Sequence, residues 1–218
     1  MKKIVILLLV VLMLAVMTQN VFAQSFKGLS LGFEMLSEVD AGFSIFKVSY
    51  YEEKDISYNH SLALGISAAL YKVVDEYGVS SVISLFSYDC YWKAVIVRAG
   101  FLDFGLQAGV TYDSVATVIV GAEFLAIGGF AELHVTPNLM IYSNFKIPVL
   151  SGMSVLGIGK LNFPNAFLFT NKAGFSYRVS SAAAIDVEVD VSNMNMLGMV
   201  TNGQLFTMGA RVGVRAYF

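Results

Sequence analysis

The sequence predicts an all-β protein, a closed antiparallel up-and-down β-barrel of about ten strands that crosses a membrane. Three observations predict it. The first is composition: 56% of the 218 residues are hydrophobic and 14% are charged, against about 25% charged in soluble domains, so something other than water must solvate much of the surface. The second concerns what can cross lipid. Only helices and closed barrels satisfy every backbone polar group there, and beyond the N-terminal stretch no segment reads as a spanning helix. The longest uncharged run, residues 191–210, is full of Asn, Ser, Thr and Gly, and "IPVLSGMSVLGIG" is short and glycine-rich. The third is period-2 alternation in segments rich in β-branched and aromatic residues, with only three prolines in the chain, which is strand chemistry.

The chain opens "MKKIVILLLVVLMLAVMTQNVFA". Lys2 and Lys3 precede an apolar run from Ile4 to Val16, and a more polar stretch then closes on Val21, Phe22 and Ala23. That is the pattern of a secretory signal peptide cleaved after a small residue, and the run falls short of the roughly 20 residues that a spanning helix needs. Residues 1–23 are therefore expected to be the signal peptide, and residues 24–218 the barrel. Gln24 rather than a cysteine would begin the mature chain, which argues against a lipoprotein.

Strands are expected at 28–36, 42–51, 61–71, 79–88, 92–101, 103–112, 116–136, 138–147, 166–178, 182–192 and 204–218. In "GLSLGFEML", Leu29, Leu31, Phe33 and Met35 form one row against Ser30, Gly32 and Glu34. "SLALGISAALY" sets Leu62, Leu64, Ile66 and Leu70 against Ser61, Ala63, Gly65 and Ser67. "SYDCYW" reads as an interfacial aromatic cluster, with Tyr88, Tyr91 and Trp92 at the headgroup level. "LHVTPNLMIYSNFKI" is a strand, a tight turn at Thr136, Pro137 and Asn138, and a second strand. "SYRVSSAAAI" turns similarly at Ser180 and Ser181. Short turns suit the periplasmic rim, whereas "IPVLSGMSVLGIGKLNFPNA" and "VSNMNMLGMVTNGQ" suit the outer rim as long connections. "AAAIDVEVDV" shows the sharpest alternation, Ile185, Val187, Val189 and Val191 against Asp186, Glu188 and Asp190. In "GARVGVRAYF", Ala210, Val212, Val214, Ala216 and Phe218 form the apolar row and Gly209, Arg211, Gly213, Arg215 and Tyr217 the other.

Eleven segments cannot close a barrel with both termini on one side, which needs an even number. Treating 92–112 as one strand interrupted at Leu102 and Asp103 gives ten, the preferred number. Splitting 116–136 at Ile127, Gly128 and Gly129 gives twelve, and merging early hairpins gives eight. Each encloses a narrow lumen filled largely by side chains.

The signal peptide, the "VTPNL" hairpin and the terminal "RVGVRAYF" together resemble bacterial outer-membrane β-barrels, particularly the small OmpA/OmpX- and OmpW-like group. The resemblance covers residues 24–218. It implies an outer-membrane location, lipid as the surrounding solvent, and Phe218 as the assembly signal read by the barrel-assembly machinery.

Charges inside such a lumen must pair, because desolvating one alone is expensive. Asp186, Glu188 and Asp190 lie on the strand next to Arg211 and Arg215, which predicts an internal carboxylate–guanidinium ladder with a structural role or, as a second reading, an ion constriction. Glu34, Lys47, Arg98, Glu123, Glu132, Lys146 and Lys172 are further candidates for the lining. Catalysis is not expected: His134 shares parity with Glu132 but sits by a turn, His60 starts a strand, and no serine signature accompanies them. Cys90 is the single cysteine, and neither cysteine nor histidine spacing suggests a metal. No cofactor is expected. A net charge of −2 without a basic stripe or phosphate loop gives no support for nucleic acid as a partner.

The expected role is an integral outer-membrane protein that is structural or forms a narrow channel for small solutes. The alternatives are a passage for small hydrophobic molecules or a surface adhesin that binds a partner. The apolar content of the two long connections (Val149, Leu150, Met153, Val155, Leu156 and Ile158; Met194, Met196, Leu197, Met199 and Val200) implies that they fold over the barrel mouth, touch lipid or bind something. The oligomeric state is not encoded in any of these features. Deleting Phe218 should reduce the folded barrel recovered from outer membranes while leaving folding in detergent unchanged, as compared by cell fractionation and refolding of the purified chain.

Overall fold

The structure, a computed structural model, describes residues 25–36, 43–74, 80–115, 120–155, 158–162, 167–195 and 206–217. The expected signal peptide and Phe218 lie outside the described residues. Eleven strands follow one another: β1 (Ser25–Leu36), β2 (Phe43–Ser57), β3 (His60–Val74), β4 (Ser80–Arg98), β5 (Leu102–Val115), β6 (Val120–Thr136), β7 (Leu139–Val155), β8 (Ile158–Asn162), β9 (Thr170–Ser180), β10 (Ala183–Ser192) and β11 (Thr207–Tyr217). All pairings are antiparallel. Ten strands form the ring, in the order β1 to β7, then β9, β10 and β11, and β11 pairs back onto β1. The short β8 stands outside the ring and pairs with the upper part of β7.

The expected number of ten therefore stands, but it is reached differently. Segments 79–88 and 92–101 are one strand, β4, with "SYDCYW" in its interior. The interruption at Leu102 and Asp103 is instead a true hairpin: Ala99, Gly100 and Phe101 form the turn, with Gly100 at φ 77°, a conformation that glycine adopts without steric cost. "IPVLSGMSVLGIGKLNFPNA" is likewise more ordered than a loop. Its first half continues β7 and a later part forms β8.

Four short connections lie at the rim that also carries Ser25 and Tyr217: residues 58–59, 99–101, 137–138 and 181–182. Two are closed by a hydroxyl. The Thr136 Oγ1 accepts from the backbone N–H groups of Asn138 at 3.2 Å and Leu139 at 3.0 Å, and the Ser180 Oγ accepts from Ala182 at 3.2 Å. These local bonds replace ladder bonds where the chain reverses.

Alternation sorts the side chains. Leu31, 60% exposed, shares its outward row with Leu29, Phe33 and Met35, and Val212 and Val214 continue this row on β11. Inward residues are buried, including polar ones such as Glu34, Ser49, Glu53 and Lys93. Apolar outside and polar inside is the inverse of a soluble barrel and fits lipid as the outer solvent. Because a closed ring has no strand edge to attack, the folded protein should migrate differently on detergent gels before and after boiling. Identical mobility would contradict closure.

Candidate functional site: the charged lumen

Near the short-turn rim, Arg215 donates from Nε to Asp186 Oδ2 at 3.0 Å, and its guanidinium lies 4.3 Å from the centre of the Phe26 ring. The Lys93 Nζ bonds both oxygens of Glu53, at 3.0 and 2.9 Å, and reaches Glu132 at 3.4 Å. Glu53 also accepts from Ser61 at 2.6 Å and Tyr51 at 2.5 Å. Midway, Arg211 is ion-paired with Glu188 and donates to Ser49 at 3.2 Å, while Tyr142 donates to the second oxygen of Glu188 at 3.0 Å. Toward the other rim, Glu34 is held by Lys47 and by the Tyr71 hydroxyl, and Asp113 accepts from Ser87.

Of the ladder residues, Asp186 with Arg215 and Glu188 with Arg211 are thus brought together across β10 and β11. Asp190 has no guanidinium partner among the described residues. It faces Glu34 across Gly209, where a methyl group would stand 2.7 Å from Asp190 Oδ1 and 2.9 Å from Glu34 Cγ. Glycine at this position leaves room for both carboxylates. Lys47, Glu132, Lys146 and Lys172 line the lumen as well, and Arg98 sits at the rim, 3.2 Å from Asp103. Glu123 does not join them. It lies on the opposite parity to Phe124 and Ala126, both of which are buried inside, so the alternation of β6 carries it outward.

Sequence reading missed Glu53 and Lys93, the most densely bonded pair, although Asp89, Tyr91 and Lys93 alternate visibly along β4. The same alternation corrects the aromatic cluster: Tyr88 and Trp92 point outward, but Tyr91, 2% exposed, is inside. Tyr217, half-buried, lies at the short-turn rim. Its ring packs 6.0 Å from that of Phe26 and under the guanidinium of Arg178 at 4.6 Å.

At the loop end, residues 167–169 and 193–195 form a cap. The Asn193 side chain accepts from the Phe169 N–H at 2.7 Å and donates to the Phe167 carbonyl at 3.0 Å, and the backbone N–H groups of Asn193 and Met194 donate to the Phe169 carbonyl. This turns Leu168 and Met194 inward, where both are buried in one apolar cluster with Tyr91 and Phe124. Met194 therefore belongs to a segment folded over the mouth, while Met196, Leu197, Met199, Val200 and Leu156 fall outside the described residues.

Asp103, Glu132 and His134 bring ligand atoms within 4.8 Å of one another at the short-turn rim. Arg98 and Lys93 already neutralise the two carboxylates, so this group reads as an ion-paired rim and not as a cation site.

A closed meander with an apolar exterior and a charged interior has the fold of an integral outer-membrane β-barrel. No protein-family model matches the sequence, and no curated protein is similar to it in sequence. Among solved structures, the outer-membrane protease OmpT of Escherichia coli is similar at a TM-score of 0.56 and 10% identity, over 91% of this chain and 98% of that one. The NanC porin gives 0.46 and 10%, over 85% and 98%, and the attachment invasion locus protein Ail of Yersinia pestis gives 0.41 and 7%, over 90% and 99%. At these identities the likeness is one of fold.

Removing one partner of a buried pair leaves the other charged and unpaired, at a cost of about 3–5 kcal/mol. Lys93→Met should lower the unfolding free energy in detergent by that amount. Lys27→Met, which removes the outward pair with Glu52 near the short-turn rim, at 3.6 Å and with the Lys27 side chain 46% exposed, should change it by less than about 1 kcal/mol. Denaturant titration of both variants checks the contrast.

Proposed function

We propose that the protein is a narrow outer-membrane channel for small polar solutes. The observation that carries this reading is a cavity of about 230 Å³ within the ring. Its lining runs from Arg215, Asp186 and Glu132 near one rim to Thr207, Ser192 and Met194 near the other. A space of that size accommodates several waters, each of which needs roughly 10–15 Å³ on this measure and two to four polar partners. One buried atom supports a wet interior: Asp186 Oδ1 has no partner among the described residues, and a carboxylate oxygen in a dry plug would carry its full desolvation cost.

The bore is restricted rather than open, since the cap bearing Leu168 and Met194 narrows the loop end. The charged lining argues against a passage for hydrophobic molecules. Acyl chemistry finds no support either: His60 stacks outward on Trp92 at 5.1 Å, and His134 is exposed at the rim.

Planar-bilayer recording tests the reading. The native protein should give small conductance steps, and Asn193→Ala, which releases the cap, should enlarge them. Arg211→Glu should shift selectivity toward cations, because it replaces a lumen cation with a fourth acid beside Asp186, Glu188 and Asp190. Absence of current from all three proteins would mark the barrel as purely structural.

A further inference from the structure

Most cations inside the ring have a carboxylate within ion-pair distance: Lys47 has Glu34, Lys93 has Glu53 and Glu132, Arg211 has Glu188, and Arg215 has Asp186. Among the described residues, Lys146 and Lys172 do not. Both line the cavity. They are diagonal neighbours on adjacent strands, since Lys146 pairs in register with Thr170 and Lys172 with Asn144. Lys146 is 8% exposed, and its ammonium rests 3.3 Å from the centre of the Tyr91 ring. A π face stabilises a cation without neutralising it. Lys172 stands across from Asp190 in the β9–β10 register, yet it makes no ion pair, because Asp190 is turned toward Glu34 at Gly209.

The same cavity contains the opposite imbalance on another wall. Asp89 on β4 accepts from the Thr111 hydroxyl at 2.6 Å, and Asp113 on β5 accepts from Ser87. Among the described residues, neither has a cation within ion-pair distance. Asp89 lies over Gly65, whose missing side chain leaves space for the carboxylate. Between these strands in the ring runs β6, whose inward row carries the buried Phe124 and Ala126 and, nearer the short-turn rim, Glu132, which lines the cavity and is held by Lys93. Two lysines thus start from β7 and β9 on one side of β6 and two aspartates from β4 and β5 on the other, and the Lys146 ammonium crosses the lumen to Tyr91 of β4, two residues from Asp89. Buried charges of both signs that make no ion pair among the described residues are each costly until something of opposite charge approaches.

We infer that this part of the lumen is a binding site for small zwitterionic solutes of amino-acid type, the solute carboxylate toward Lys146 and Lys172 and its ammonium toward Asp89 and Asp113. A purely anionic ligand would meet the two aspartates, and a purely cationic one the two lysines. A solute carrying both charges satisfies the two lysines and the two aspartates at once, with charge-assisted hydrogen bonds at each end. The cavity is smaller than the roughly 300–1,000 Å³ pockets that hold drug-sized ligands, which sets the scale at a single small residue. The inference deepens the channel reading by naming a solute class, and it rests on that reading for transport though not for binding.

Four solutes of nearly equal size separate the possibilities: L-alanine, L-lactate, L-alaninamide and the neutral L-lactamide. In liposome-swelling assays alanine should enter about five-fold faster than lactamide, the equivalent of roughly 1 kcal/mol, with lactate and alaninamide slower than alanine. Lys146→Gln/Lys172→Gln and Asp89→Asn/Asp113→Asn should each reduce alanine to the lactamide rate. These are near-isosteric changes that remove charges with no ion-pair partner, so both variants are expected to fold, and the heat-dependent gel shift verifies it. Entry of lactamide as fast as alanine overturns the inference while leaving the channel intact, and so does an alanine preference that both variants retain. If no solute enters, the channel reading fails, and the site is then judged by alanine binding to the micellar protein in saturation-transfer NMR. Binding that either double variant abolishes upholds the site, and an absence of binding to the native protein, or binding that both variants keep, overturns it.

Discussion

The ring depends on one ladder, the pairing of the first strand with the last. β1 and β11 run together from Phe26 opposite Tyr217 to Leu36 opposite Thr207. Without it, both strands would present unpaired N–H and C=O groups to hydrocarbon, where each unsatisfied group costs several kcal/mol. The other hairpins are local and can form between sequence neighbours. This pairing joins the two ends of the chain, so it carries the largest loop-closure cost and converts a ten-stranded sheet into a wall with an inside.

Once an inside exists, its chemistry follows from space. A ring of this strand number has a bore that side chains nearly fill, so long lumen residues must lie across their neighbours rather than stand upright. Small residues make that possible: Gly209 beneath Asp190 and Glu34, Gly65 beneath Asp89, and Gly174, where a methyl group would meet the Tyr142 hydroxyl at 2.9 Å. The result is a lumen in which tyrosine hydroxyls and ammonium groups bridge strands far apart in sequence, and in which a few charges remain outside any pair.

Inside and outside were legible from parity. Asp186, Glu188 and Asp190 against Ile185, Val187 and Val189 needed no structure to be sorted, and the apolar row of β11 likewise. Strand ends were harder, because alternation passes through a turn or a bulge without announcing it. "SYDCYW" contains no Gly or Pro and reads as a boundary through its aromatics, yet Asp89, Tyr91 and Lys93 keep perfect inward rhythm through it. The real boundary lay ten residues later, at the glycine that can take φ 77°. Glu123 was misread because its charge was weighed and its parity was not. The pairing pattern was the least legible part: Lys93 meets Glu53 forty residues away, and no local rule reveals which lysines end without a partner.

β7 rises well past the point where β9 leaves it. Their ladder runs from Leu139 opposite Tyr177 to Lys146 opposite Thr170 and is the shortest in the ring among the described residues, while the upper part of β7 is held by β6 on one side and by β8 on the other. The wall is therefore uneven in strength around its circumference. Under lateral tension in the bilayer, the side facing β9 has the fewest bonds to break, and strand separation would begin there and spread as a zipper does, starting from the end away from the short turns. Lys146 and Thr170 mark the upper limit of that seam, so the cation that rests on Tyr91 also sits at the place where the cylinder is mechanically weakest.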